Sequence, residues 1–151
     1  MTATIKDQSL WPLHFNLVAA PMQMGRWETK SWSIEDICLA REEGDCPHAE
    51  FSLPLKLFKD ERTDYRFNLS SHDPRLFFIF EKDDYDELQP FRVTPSQTVA
   101  ASFMDGDYVV MSEPLPLPVQ AWMEAFMGRH GELLDPGKKK KRKGAGRASG
   151  N

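Results

Sequence analysis

Apolar residues in the first half of the chain recur at steps of two or in short bursts bounded by Pro, Gly, Asp and Ser, which predicts β-strands from Pro12 to about Phe80. Leu13 to Met24 reads as the first strand, with Pro21 marking an edge or bulge because proline cannot donate to a ladder. Trp27 to Leu39 reads as the second, its apolar face drawn from Trp32 and Ile34 with Trp27 and Ile37. The polar stretch Arg41 to His48, with Gly44 and Pro47, reads as a loop. Phe51, Leu53, Leu55 and Leu57 fall at period two and predict a third strand over Phe51 to Phe58. Tyr65, Phe67 and Leu69 alternate with Arg66, Asn68 and Ser70, which predicts a fourth. Leu76 to Phe80 is the longest apolar run and predicts a central strand buried on both faces.

Helical periodicity appears only later. An acidic connection from Lys82 to Glu87 reads as an exposed hairpin loop. Thr94-Pro95-Ser96-Gln97 reads as a capping box with Thr94 at the N-cap, opening a helix with Val99, Ala100 and Phe103 on its inner face and stopping at Gly106. Tyr108 to Met111 predicts another short strand. Pro114, Pro116 and Pro118 lead into a second helix, where Val119, Trp122, Met123, Phe126, Met127 and His130 form a continuous stripe ended by Gly131. The fold class expected is α+β: a curved antiparallel sheet or partial barrel of about five or six strands, covered by two helices from the C-terminal half. Residues 1–11 read as a flexible N-terminus, 12–134 as one globular domain and 135–151 as a disordered basic tail.

Charge divides the chain in the same way. Before residue 138 there are twelve Lys and Arg against twenty-three Asp and Glu, a net charge of −11 that the tail's +7 reduces to −4 for the whole. Lys138, Lys139, Lys140, Lys141, Arg142 and Lys143 supply most of the tail's charge and are the residues with which it would meet nucleic acid or an anionic membrane. No apolar run approaches the roughly 20 residues of a membrane span, and no secretory leader is recognisable, so a cytoplasmic location is expected. In that compartment Cys38 and Cys46 are expected to be reduced thiols.

Catalytic chemistry finds little support. Cys38, Cys46 and His48 are the one set with metal-binding side chains, but their spacing is not that of a zinc site, and no metal is expected. His14, His48, His72 and His130 lie on four different segments, and Ser70-Ser71-His72-Asp73 reads as a turn, because adjacent positions cannot form a nucleophile–base–acid chain. No Gly-rich phosphate loop or dinucleotide fingerprint is present, and no cofactor is expected.

Several segments together resemble one bacterial family of small proteins of unknown function. They are Arg26-Trp27 with Trp32, Asp64-Tyr65-Arg66-Phe67-Asn68-Leu69-Ser70-Ser71, Val93-Thr94-Pro95-Ser96, Phe103-Met104-Asp105-Gly106-Asp107, Pro114 to Pro118, and Ala121-Trp122-Met123-Glu124-Ala125-Phe126 with Arg129-His130. The resemblance spans about residues 13–134 and leaves the tail outside. It implies a gene neighbourhood with molybdenum- or tungsten-dependent formate dehydrogenases, and so a non-enzymatic accessory protein for their assembly or maturation. The expected partner is a formate dehydrogenase subunit or one of its maturation factors. Arg26, Trp27, Tyr65, Arg66 and Asn68, the polar or amphipathic members of the matching segments, are the expected contact residues, although Arg66 and Asn68 serve equally well as structural hydrogen-bonding groups. A second expectation is an enzyme or carrier acting on the molybdenum cofactor, with Arg26 and Arg66 on its phosphate and Cys46 on its sulfur. A third is a nucleic-acid or membrane-surface binder acting through the tail.

Overall fold

The computed structural model describes residues 6–85, 87–104 and 106–131. The tail cations Lys138 to Lys143 lie outside the described residues. Among the described residues, six strands and three α-helices follow one another as β1 (Leu10–Met24), β2 (Trp27–Leu39), β3 (Phe51–Lys56), α1 (Arg62–Leu69), β4 (Arg75–Lys82), β5 (Leu88–Thr94), α2 (Gln97–Ala101), β6 (Tyr108–Pro114) and α3 (Leu117–His130). The fold is α+β. The strands form two open antiparallel sheets of three, in the orders β2-β1-β3 and β5-β4-β6.

Each sheet is built around the strand with the strongest apolar pattern. In β4, Leu76, Phe78, Ile79 and Phe80 are all buried, which places the longest apolar run at the centre of its sheet, covered on both faces. In β1, Trp11, Leu13 and Phe15 point inward at period two. The sheets meet where Phe15 packs edge-on against Phe78 and Phe80, with ring centroids 5.2 and 6.2 Å away. Helix α3 lays Val119, Trp122, Met123, Phe126 and Met127 into the same core. Its C-terminal carbonyls at His130 and Gly131 accept hydrogen bonds from the Arg62 guanidinium.

Of residues 1–11, those from Lys6 onward are described. The Trp122 indole N–H donates to the Asp7 carbonyl at 2.9 Å, the Arg129 guanidinium donates to the Gln8 carbonyl, and the Leu57 N–H donates to the Ser9 carbonyl.

Three local readings are corrected. Tyr65 to Leu69 is not a strand but the second half of α1. Tyr65 and Leu69, four apart, turn inward together with Asn68, while Phe67 is 67% exposed, so the apparent alternation does not track burial. Helix α2 is capped by Ser96, whose hydroxyl accepts from the Val99 N–H, and not by Thr94. Thr94 is still paired to Phe77 in β5, and its hydroxyl accepts from the Ser96 N–H. Finally, Cys38 and Cys46 form a disulfide across the Arg41–His48 loop instead of standing as free thiols.

The second strand also carries an irregularity that its sequence conceals. Trp32 and Ile34 face the core, and so do Ile37 and Leu39, which a regular strand cannot achieve. The phase changes at a bulge, where the pairing passes from His14↔Cys38 to Asn16↔Glu35 and Asp36 adopts φ 57°. The Asn16 side-chain amide holds the bulge, donating to the Asp36 carboxylate and accepting from the Glu50 N–H.

Two stability outcomes follow. Trp122→Ala removes a buried indole and its hydrogen bond and is expected to lower unfolding free energy by about 3–5 kcal/mol in urea titrations. Cys38→Ser opens a loop closed across a separation of eight residues and is expected to cost about 2–3 kcal/mol, with reduction of the parent giving the same loss.

Candidate binding surfaces

The inward ladder of β1 ends at Leu17. Beyond it β1 and β2 continue for another seven or so residues each as a two-stranded arm that β3 does not flank, because β3 pairs only with Leu10 to Phe15. Pro21 lies in this stretch, where its missing N–H disturbs no third strand. The arm closes through Gly25 and Arg26. Gly25 has φ 60° and Arg26 does not have positive φ, the pattern of a type II′ hairpin turn with glycine at its first central position.

Cross-strand pairing sorts the arm's side chains onto two faces. Ala19↔Trp32, Pro21↔Lys30 and Gln23↔Glu28 share the inner face. There Lys30 forms an ion pair with Glu87 at the β4–β5 connection, and its ammonium lies 5.5 Å from the Trp32 ring centre. A cleft of about 410 Å³, bordered also by Tyr85, Leu88 and Val109, separates arm from body at this point. The outer face is Val18↔Ser33, Ala20↔Ser31, Met22↔Thr29 and Met24↔Trp27. None of these eight side chains is charged, and Met24 and Trp27 are 58% and 77% exposed. Phe15 to Gly25 carries no charged residue, and which of these positions face outward becomes legible only with the register of β2.

The residues expected to contact a partner fall on two separate places. Arg26 and Trp27 stand exposed at the arm's tip. Tyr65, Arg66 and Asn68 lie on α1, where each is tied to the fold. Tyr65 is fully buried; its hydroxyl accepts from the Phe58 N–H and donates to the Glu61 carboxylate, and burial raises its pKa above the ordinary phenol value. Arg66 makes a bidentate pair with Glu124 of α3 at 2.7 and 3.1 Å, and that hydrogen bonding holds the Glu124 carboxyl below its usual range. Asn68 is buried and links three backbone groups, donating to the carbonyls of Arg75 and Pro95 and accepting from the Arg75 N–H. Tyr65 and Asn68 offer no surface to a partner.

The cofactor reading meets similar obstacles. Cys46 is bonded to Cys38 and has no thiol to offer sulfur chemistry, and Arg66 is committed to Glu124. Cys38, Cys46 and His48 do border one cleft of about 410 Å³. Among the described residues, however, no group of three His, Cys, Asp or Glu is placed to hold a metal ion. Asp73 pairs with Arg75, and Ser71 donates to the Asn68 carbonyl, so Ser70 to Asp73 behaves as a turn.

Fold and surfaces define a small α+β protein with a hairpin arm whose outer face is uncharged. The chain belongs to the family DUF3305, proteins of unknown function, which matches residues 15–143. That match takes in the basic run Lys138 to Lys143, which the sequence resemblance had left outside. No curated protein and no solved structure matches the chain. Among the described residues no helix is long and apolar enough to cross a membrane.

Contrasting roles for Asn68 and Trp27 give a direct check. Asn68→Ala leaves buried backbone groups without partners and is expected to cost about 2–3 kcal/mol in denaturant unfolding. Trp27→Ala, at the exposed tip, is expected to change stability by less than about 0.5 kcal/mol.

Proposed function

We propose that this is a non-enzymatic binding protein whose β1–β2 arm is the contact element, serving assembly or maturation of a formate dehydrogenase. The observation that supports it most is the arm's outer face, which puts Val18, Met22, Met24 and Trp27 in solvent with no charged side chain among the pairs of that face. Elsewhere the body is densely acidic, so an uncharged strip is where a partner's apolar surface is met without desolvating carboxylates. Tryptophan and methionine at the tip supply the large, adaptable contact area typical of binding hot spots. Arg26 beside Trp27 adds a fork for a carboxylate on the partner. The choice of formate dehydrogenase rests on the resemblance carried by Arg26-Trp27, Tyr65 to Ser71 and the segments of the C-terminal half.

The test is affinity purification of the tagged full chain from its native host grown with formate and molybdate, followed by mass spectrometry. Formate dehydrogenase subunits or their chaperones are expected with the parent and are expected to be lost with a Met24→Ser/Trp27→Ala variant of parental melting temperature. Retention by that variant would remove the arm from the interface. Recovery of the parent alone would overturn a stable complex.

A further inference from the structure

A second surface has the opposite character. Between the segment around Lys6, β1 and α3 lies a cleft of about 480 Å³. Its floor is the Trp11–Trp122 pair, packed edge-to-face with centroids 5.4 Å apart. Lys6, Arg41 and Arg129 border it against a single carboxylate, Asp7. The Lys6 ammonium is 4.6 Å from the Trp11 ring centre and 6.0 Å from that of Trp122, and the Arg41 guanidinium is 5.6 Å from Trp11. Among the described residues none of the three cations forms an ion pair, and Arg129 spends one nitrogen on the Gln8 carbonyl. One Asp7 carboxylate oxygen accepts from the N–H groups of Ser9 and Leu10, both at 2.8 Å. The Trp11 indole N–H, enclosed at the same place, has no acceptor among the described residues.

We propose that this cleft binds a phosphate-class oxyanion carried by a small molecule, held by the guanidinium groups of Arg41 and Arg129 with Lys6 as a third cation. The body carries nearly two carboxylates for each cation, so three cations gathered around one carboxylate run against its composition. Their mutual repulsion is a cost that a bound anion removes. Partial burial first, and then the nearby Arg41 and Arg129, hold the Lys6 ammonium below its ordinary value. With Asp7 counted, the excess matches a dianion, and guanidinium forks suit phosphate oxygens better than a single ammonium does. The tryptophan floor is almost wholly covered, so recognition falls on the charged group and not on stacking of a ring.

Titrating the full chain with inorganic pyrophosphate in low-salt buffer by calorimetry tests this. One saturable site is expected. R41Q and R129Q, melting like the parent, are each expected to weaken it about tenfold, whereas K139Q/K140Q in the tail shifts it by less than about twofold. Absence of heat at about 1 mM pyrophosphate, or an affinity that follows the tail substitutions and ignores those in the cleft, would overturn the proposal. Should the arginine variants melt early, a W27F/W32F chain keeps only Trp11 and Trp122 as indole reporters. Their emission is then expected to change and saturate with pyrophosphate, and a flat titration overturns the site.

Discussion

The fold depends on the contact between the central strands of its two sheets. Each open sheet is apolar on one face and must bury that face against another element. Phe15 of β1 joins them by meeting Phe78 and Phe80 of β4, and Trp11, Leu13 and Leu76 continue the same shared core. Helix α3 closes it with a stripe whose anchor, Trp122, reaches Trp11 on one sheet and the Asp7 carbonyl before it. The arm is the consequence of where this contact stops. Past Leu17 no inward-facing residue of β1 is buried, so the ladder runs on into solvent with hydrogen bonds but without a core.

An isolated two-stranded hairpin is marginal in water, and this one is steadied at its base by uneven means. The bulge at Asp36 keeps Trp32, Ile34, Ile37 and Leu39 on one face despite their irregular spacing, and the Asn16 amide locks it. Farther out, Trp32 lies partly against the core and Lys30 pairs with Glu87. That pair is half-exposed on both sides and contributes little to stability, so it orients the arm more than it holds it. The inner face thus touches the body through Trp32 and Lys30 and otherwise borders the cleft, whereas the outer face points wholly into solvent.

What the sequence disclosed follows from the range of each signal. The run Leu76 to Phe80 and the stripe Val119 to Met127 are local and strong, and both sit where their periodicity places them. Tyr65 to Leu69 misled because an alternating triplet is too short to separate a strand from a helix; inward-facing Tyr65 and Leu69 with exposed Phe67 decide for the helix. The α2 cap lies two residues after Thr94 because strand pairing outranked a local capping pattern. Trp27, flanked by Arg26 and Glu28, could be read as exposed; the burial of Tyr65 and Asn68 could not be read, since it depends on Glu61, Arg75 and Pro95 meeting in space. Lys6, Arg41 and Arg129 come from three distant segments and leave no trace in any window of the chain.

The two surfaces answer different physical demands, and this bears on how they coexist. The arm's outer face offers apolar area free of charge, a kind of contact that tolerates varied partners and depends little on salt. The cleft concentrates positive charge on an acidic body, where surrounding carboxylates oppose the approach of a long polyanion but a compact anion still reaches the pocket. Arg41 connects the two regions covalently. It begins the loop that the Cys38–Cys46 disulfide closes, and its N–H donates to the Asp45 carboxylate within that loop. The disulfide therefore restrains the backbone that carries a cleft cation to the end of β2, the strand that forms the arm.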